Sequence, residues 1–133
     1  YGVENLMGSE GADTLTGDAG ANTLSGGAGD DTMRGLGGDD VMIGGAGADR
    51  FVIGEAEGSN RVEGGAGGGW TDTIELTNAN GSPVGPSWIL VLDTGSIQDD
   101  DGRTMTLTDD AAGTITLADG SQIVFEGIEH IEY

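Results

Sequence analysis

The chain has 133 residues, with 24 acidic side chains against 4 basic ones and a formal net charge of −20. That balance excludes a phosphate-neutralising nucleic-acid surface, disfavours an anionic membrane surface and favours cations as partners. It also suits a heavily solvated surface or an acidic disordered tail. There is no cysteine, which excludes disulfides, thiolate metal sites and cysteine nucleophiles, and no stretch is apolar enough to span a bilayer. Tyr1 is read as a cut point in a larger protein, since neither an initiator methionine nor a leader pattern precedes it.

Twenty-one of the 28 glycines fall in residues 1–75 and seven in 76–133, so the chain divides into a repetitive block, 1–75, and a β-patterned module, 76–133. The first element, GVENLMG, reads as a strand with Glu4 ahead of Leu6, nine residues before Leu15. Five ungapped nonapeptides follow from Gly8: GSEGADTLT, GDAGANTLS, GGAGDDTMR, GLGGDDVMI and GGAGADRFV. Positions one and four are always Gly, and position six is Asp or Asn. Position eight is apolar: Leu15, Leu24, Met33, Met42 and Phe51. The register then loosens. EAEGSNRVE fits after two extra residues, Ile53 and Gly54, and GGAGGGWTDTIE fits with three extra residues before Asp72; both insertions are expected in loops.

One apolar residue in nine cannot make an amphipathic helix, and the glycines make a helix costly. The x-apolar-x triplet suits a brief strand with one side chain inward, and the glycine-rich hexad suits a turn. Strand and turn repeated give a coil of two repeats, 18 residues per turn, with parallel strands on two faces. So narrow a core is poorly matched to the cost of ordering the chain. Sixth positions then stack in two columns, Asp13–Asp31–Asp49 and Asn22–Asp40–Asn60. Carboxylates near the inter-strand spacing of about 4.8 Å repel by about 1 kcal/mol per pair in water and about 4 at an effective dielectric of about 20. A hard divalent cation between turns reverses the sign, and an all-oxygen, flexible ligand set suits Ca²⁺.

These rows resemble the RTX nonapeptide, G-G-x-G-x-D-x-U-x. The resemblance covers residues 3–75 and is specific over 8–52. It implies an all-β fold: a parallel β-roll, that is a right-handed β-helix of two nonapeptides per turn, followed by a small β module capping its end. It also implies about four or five Ca²⁺ ions lying between the pairs 13/31, 31/49, 22/40 and 40/60, with a fifth between Asp49 and Asp72. The implied side-chain ligands are Asp13, Asn22, Asp31, Asp40, Asp49, Asn60 and Asp72. Alternate backbone carbonyls would complete the sites, from Gly8, Ser9, Glu10 and Gly11, from Gly17, Asp18, Ala19 and Gly20, and from Gly26, Gly27, Ala28 and Gly29. The later turns would offer those of Gly35, Leu36, Gly37 and Gly38 and of Gly44, Gly45, Ala46 and Gly47. The chain departs from the motif where Asn22 and Asn60 replace Asp, weakening their sites, and where Asp18 and Leu36 replace the second glycine. Asp30 and Asp39, at position five, are expected to be solvated or to sit behind the ligands.

Beyond residue 75 the patterning predicts strands at 73–77, 87–93, 103–108, 113–118, 121–126 and 128–132. TITLADGSQIVF signals a hairpin turning at Asp119-Gly120, and NANGSPVGPS reads as a loop. Trp70, Trp88, Ile89, Val91, Ile115, Leu117, Ile123 and Phe125 are the expected core. DDDG at 99–102 lacks the alternating ligands and distal Glu of an EF-hand and reads as a solvated turn. Gly127-Ile128-Glu129-His130-Ile131 echoes Gly2-Val3-Glu4-Asn5-Leu6, which gives His130 a structural role and suggests that the native chain continues past Tyr133.

The expected function is a calcium-dependent structural module of a secreted or cell-surface bacterial RTX protein, folding on Ca²⁺ after export. Its expected partners are calcium, neighbouring modules of a longer chain and the type I secretion machinery. The alternatives are an adhesive or carbohydrate-binding module of an RTX adhesin, or an accessory domain of a secreted RTX enzyme. With one His, no Cys, no Lys and neither HExxH nor GxSxG, no catalytic residue is assigned.

Overall fold

Each x-apolar-x triplet of the repeats becomes a strand. The computed structural model describes residues 5–54, 58–65, 71–77, 88–109, 111–117 and 120–133. Glu4, Trp70, the 78–87 loop and Asp119 lie outside the described residues. The repeat strands are β1 (Asn5–Met7), β2 (Thr14–Thr16), β3 (Thr23–Ala28), β4 (Thr32–Arg34), β5 (Val41–Ala46), β6 (Arg50–Gly54), β7 (Asn60–Glu63) and β8 (Thr73–Thr77). They are followed by β9 (Ile89–Thr94), β10 (Ile97–Asp100), β11 (Thr104–Leu107), β12 (Ala112–Thr116), β13 (Gln122–Glu126) and β14 (His130–Glu132). Among the described residues there is no helix.

Odd and even repeat strands segregate into two facing sheets, as a two-repeat turn requires. One sheet runs β1-β3-β5-β7-β13-β12-β9 and the other β10-β11-β14-β8-β6-β4-β2. The repeat strands pair in parallel, with one apolar ladder per sheet. Leu6, Leu24, Met42 and Val62 stack in the first, and Leu15, Met33, Phe51 and Ile74 in the second. Both sheets carry on into the C-terminal segment. β13 adds to β7 in parallel, placing Phe125 on Val62, and β14 adds to β8, placing Ile131 on Ile74. The remaining strands are antiparallel, so the winding direction ends with β13 and β14. The hydrophobic core is correspondingly continuous from Leu15 to Ile131.

Three local expectations change. Ile53 and Gly54 do not lie in a loop but prolong β6, opposite Leu76 and Thr77. Ile53 is two residues beyond Phe51 and so shares its inward face, where it is buried. Ile89 and Val91 are not core: they are 63% and 58% exposed, while Leu90 and Leu92 pack inward. In a strand a one-residue shift of phase exchanges the two faces. The third change is β10, which was not foreseen; every residue in it is exposed, and its Asp99 and Asp100 guard an open sheet edge. The turn that follows is an Asx turn, in which Asp101 Oδ1 accepts the amides of Arg103 (2.9 Å) and Thr104 (2.7 Å). Asp100 accepts the Tyr133 hydroxyl, which pushes that phenol up to about 12. Trp88 is half-buried, edge-on to Tyr133 at 4.9 Å between ring centroids.

On the outer face, Arg50 of β6 reaches Glu75 of β8 (2.9 Å) and Glu132 of β14 (2.5 Å). Its half-exposed position limits the pair's worth to under about 1 kcal/mol. The ladders therefore carry the stability. Phe51→Ala should cost about 3–5 kcal/mol in chemical denaturation, whereas Ile89→Ser should stay within about 0.5 kcal/mol. Comparable losses for the two would contradict the assignment of the faces.

Candidate metal centre

The glycine-rich hexads connect the two sheets along both edges of the roll. In β3 and β5 the chain stays extended through Gly26-Gly27-Ala28 and Gly44-Gly45-Ala46, pairing Gly27 with Gly45 and Ala28 with Ala46. At Gly26 and Gly44, position one has to be glycine because of what lies beside it. A Cβ on Gly26 would press on Asp31 Oδ2 and stand 2.8 Å from the Gly44 carbonyl, and one on Gly44 would meet Asp49 Oδ2 and, at 2.7 Å, the Gly64 carbonyl. The space between turns is thus a cradle lined by a carboxylate oxygen and a carbonyl of the next turn. In the last three nonapeptides position two takes a left-handed backbone, with φ of 102° at Gly27 and 109° at Gly45, which Ser9 and Asp18 do not share in the first two. Leu36 holds φ 73° at that position, which costs a side chain with a Cβ about 1–2 kcal/mol.

The sixth-position side chains form two ladders of hydrogen bonds between turns. In the first column the amide of Asp13 donates to Asp31 Oδ1 (2.8 Å), that of Asp31 to Asp49 Oδ1 (2.9 Å) and that of Asp49 to Asp72 Oδ1 (2.8 Å). In the second, Asn22 donates to Asp40 Oδ1 (2.8 Å) and Asp40 to Asn60 Oδ1 (2.9 Å). Every adjacent pair inferred from the 18-residue period is therefore brought together. Asp31, Asp40, Asp49 and Asp72 are at most 1% exposed, Asn22 and Asn60 3% and 4%. Asp13, in the outermost turn, is half-buried and takes the Ser9 amide and hydroxyl on Oδ2.

One oxygen of each buried carboxylate is thus accounted for. The Oδ2 atoms of Asp31 and Asp49 are buried without a hydrogen-bond donor. A buried acceptor left in that state costs about 1–3 kcal/mol, more if charged, and the two remedies are a proton or a cation. Burial, the largest effect, pushes Asp49 up to about 6, and the Asp31 and Asp30 carboxylates add to the rise against the bond from the Asp31 amide. Among the described residues no three His, Cys, Asp or Glu side chains converge on one point. An ion here would draw most of its ligands from backbone carbonyls, the all-oxygen environment that suits Ca²⁺ and not Zn²⁺. The Oδ2 pair, the cradle and the carbonyl supply together fit that ion. Two of the expected carbonyls already accept a backbone amide: Ser9 from Ala28 and Ala46 from Gly29.

The Asn22 turn differs. Its side-chain amide donates to Asp18 Oδ1 (3.0 Å) and to the Gly20 carbonyl, while its buried Oδ1 has no donor. Asp18, in the glycine position, is what the Asn22 amide grips. His130 sits on the outer face of β14, between Thr73 and Thr106, and its backbone amide donates to the Asp72 carbonyl (3.0 Å).

One member of the first column escaped the repeat count. Glu129 Oε2 accepts the Asp72 amide at 2.8 Å, ending the ladder Asp13–Asp31–Asp49–Asp72. Gly127 plays the first-position part, since its carbonyl lies where a Cβ on Gly64 would be. Only Ile128 separates Gly127 from Glu129, where four residues separate Gly26 from Asp31. The longer Glu arm spans the shortfall. The echo of GVENL in GIEHI carries this signal, with Glu129 at the place of Glu4.

Two outcomes follow from this geometry. Leu36→Gly should raise stability by about 0.5–1 kcal/mol, because relief of the left-handed strain exceeds the added unfolded-state entropy; a loss of stability would overturn the assignment. For Asp49 the folded value lies above the unfolded one. Its contribution is present below pH 3.8 and lost as pH rises through about 6, so at neutral pH the charged form costs stability that a cation offsets. Calcium and protons then compete. Acidification from about pH 7 to about pH 5 should raise the calcium midpoint of the wild type, and raise it less in Asp49→Asn; equal shifts would contradict the assignment.

Comparison with known proteins agrees with the geometry. Residues 1–33 and 17–51 match the RTX calcium-binding nonapeptide repeat, in four copies. A search of the curated proteins finds no match. Among solved structures, the chain resembles the solution structure of the AlgE6R3 subunit of the Azotobacter vinelandii mannuronan C5-epimerase, with a TM-score of 0.50 and 24% identity over 96% of this chain and 78% of that one. That likeness concerns the fold. The chain carries a block of RTX calcium-binding nonapeptide repeats, wound as a parallel β-roll.

Proposed function

We propose that this calcium-binding β-roll is a folding module of a secreted or surface-displayed bacterial protein, ordered by calcium after export. The buried, donorless Oδ2 atoms of Asp31 and Asp49 carry the reading. Stacked carboxylates in a narrow β core oppose folding until a divalent cation neutralises them, so binding energy becomes folding energy. In calcium-poor cytoplasm the chain remains extended and exportable. About four or five ions would lie between Asp13 and Asp31, Asp31 and Asp49, Asn22 and Asp40, Asp40 and Asn60, and Asp49 and Asp72, completed by carbonyls of the glycine-rich loops. The individual affinities belong in the extracellular range, roughly 10⁻⁴–10⁻³ M. Residues 76–133 serve as the cap of the roll built by 1–75, a reading supported by the addition of β13 and β14 to its two sheets. A carbohydrate-binding role draws no support from Trp88, whose ring is taken up by Tyr133.

Calcium titration followed by far-ultraviolet circular dichroism should show a cooperative gain of β-sheet signal, reversed by EDTA. A chain equally folded in EDTA would sink the proposal. Asp31→Ala should shift the midpoint further than Asn22→Ala, because Asp31 borders two sites with acidic partners and Asn22 only one, itself contributing no charge.

A further inference from the structure

The fifth position of the nonapeptide is free in the repeat pattern, and Asp30 and Asp39 occupy it with exposed side chains. Neither is loose. Asp30 Oδ1 accepts the amide of Ala48 at 2.9 Å, and Asp39 Oδ1 accepts that of Ser59 at 2.9 Å. Ala48 and Ser59 are the fifth residues of the next turn on the same edge. A third instance follows, in which Ser59 Oγ accepts the amide of Gln122 at 3.3 Å; Gln122 stands next to Ile123, the partner of Asn60. At Asp30, Asp39 and Ser59 the fifth-position oxygen thus takes the amide one turn ahead. Ala12, Ala21 and Ala48 have none to offer.

This ladder runs opposite to the sixth-position one. Asp30 reaches forward to Ala48 while Asp49 reaches back to the Asp31 amide (2.9 Å). Asp39 reaches forward to Ser59 while Asn60 reaches back to the Asp40 amide (2.9 Å). Two reciprocal bonds thus close a box across each of these two junctions, in the manner of a helix capping box but between turns of a solenoid. Gly47 and Gly58 permit it, since a Cβ on either would stand 3.0 Å from the gripping oxygen.

We infer that Asp30 and Asp39 are positioning residues that hold the turn-to-turn spacing of the two central metal junctions without themselves ligating the ion. Neither clasp needs a cation. The clasps therefore preorganise the cradles between Asp31 and Asp49 and between Asp40 and Asn60, and lower the calcium concentration at which the roll forms. The effect on that midpoint rests on the calcium-coupled folding proposed above.

The test uses the whole chain. Loss of one clasp is shared among about four ions, so Asp30→Ala or Asp39→Ala should raise the calcium midpoint up to about twofold and the double variant about threefold. The ion number by calorimetry should be unchanged. Asp30→Asn combined with Asp39→Asn should restore the wild-type midpoint, since an amide oxygen accepts the same bond. Ala12→Asn, which installs an acceptor opposite the Asp30 amide, should lower it. An unchanged midpoint in the double Ala variant, or loss of an ion with no rescue by Asn, would overturn the inference. Should the wild type fold without calcium, amide hydrogen exchange at Ala48 and Ser59 still decides: faster exchange in the Ala variants and not in the Asn variants supports the clasp, and no difference refutes it.

Discussion

The structure hangs on the stacked sixth-position carboxylates, each with one oxygen tied to the amide of the preceding turn and, at Asp31 and Asp49, the other left buried without a donor. The tie places the charges one strand spacing apart, inside the edge of a narrow roll. There repulsion and desolvation add, as the raised value of Asp49 shows. Other features of the repeat answer to that stack. Position one has no side chain because the second oxygen and the carbonyl of the next turn fill its place. Position eight is apolar because it is the central residue of each three-residue strand and the one whose side chain turns into the core. The charge of −20 is unfavourable to a compact chain by itself and becomes useful where cations are abundant.

The two ends of the first column are treated differently. At the start, Asp13 stays half-buried and is satisfied by Ser9 of its own loop. At the far end, Glu129 closes the column from a shortened loop, and its longer arm replaces the three missing residues. The same segment extends both sheets by two strands each beyond the parallel stack. Antiparallel pairing then moves the exposed edges to β9 and to the acidic β10, where further winding cannot add. The C-terminal segment thus finishes the hydrogen-bond ladder, the apolar ladder and the sheet edges together.

Much of the site was legible because its spacing is arithmetic. A nine-residue period with two repeats per turn fixes which side chains stack, and the pairs at 18 residues appear as read. The two insertions left the ladders aligned at separations of 20 and 23 residues. What failed to show in the repeat were residues whose partners depend on the direction of a backbone amide. Asp30 and Asp39 look like solvated acids until Ala48 and Ser59 are seen to face them. Ile89 and Val91 look like core because WILVLD is apolar throughout 88–92, and only the pairing of β9 with β12 decides the phase.

The sequence by itself determined the architecture, the two columns and the kind of ion they suit, because glycine, carboxylate and apolar positions recur with a period that only a two-faced coil satisfies. Tertiary structure alone decided where that coil stops, which acids grip a neighbouring turn, and that Glu129 belongs to the column. Those outcomes hinge on hydrogen bonds between segments 18 to 63 residues apart, whose geometry no local pattern of residue types encodes.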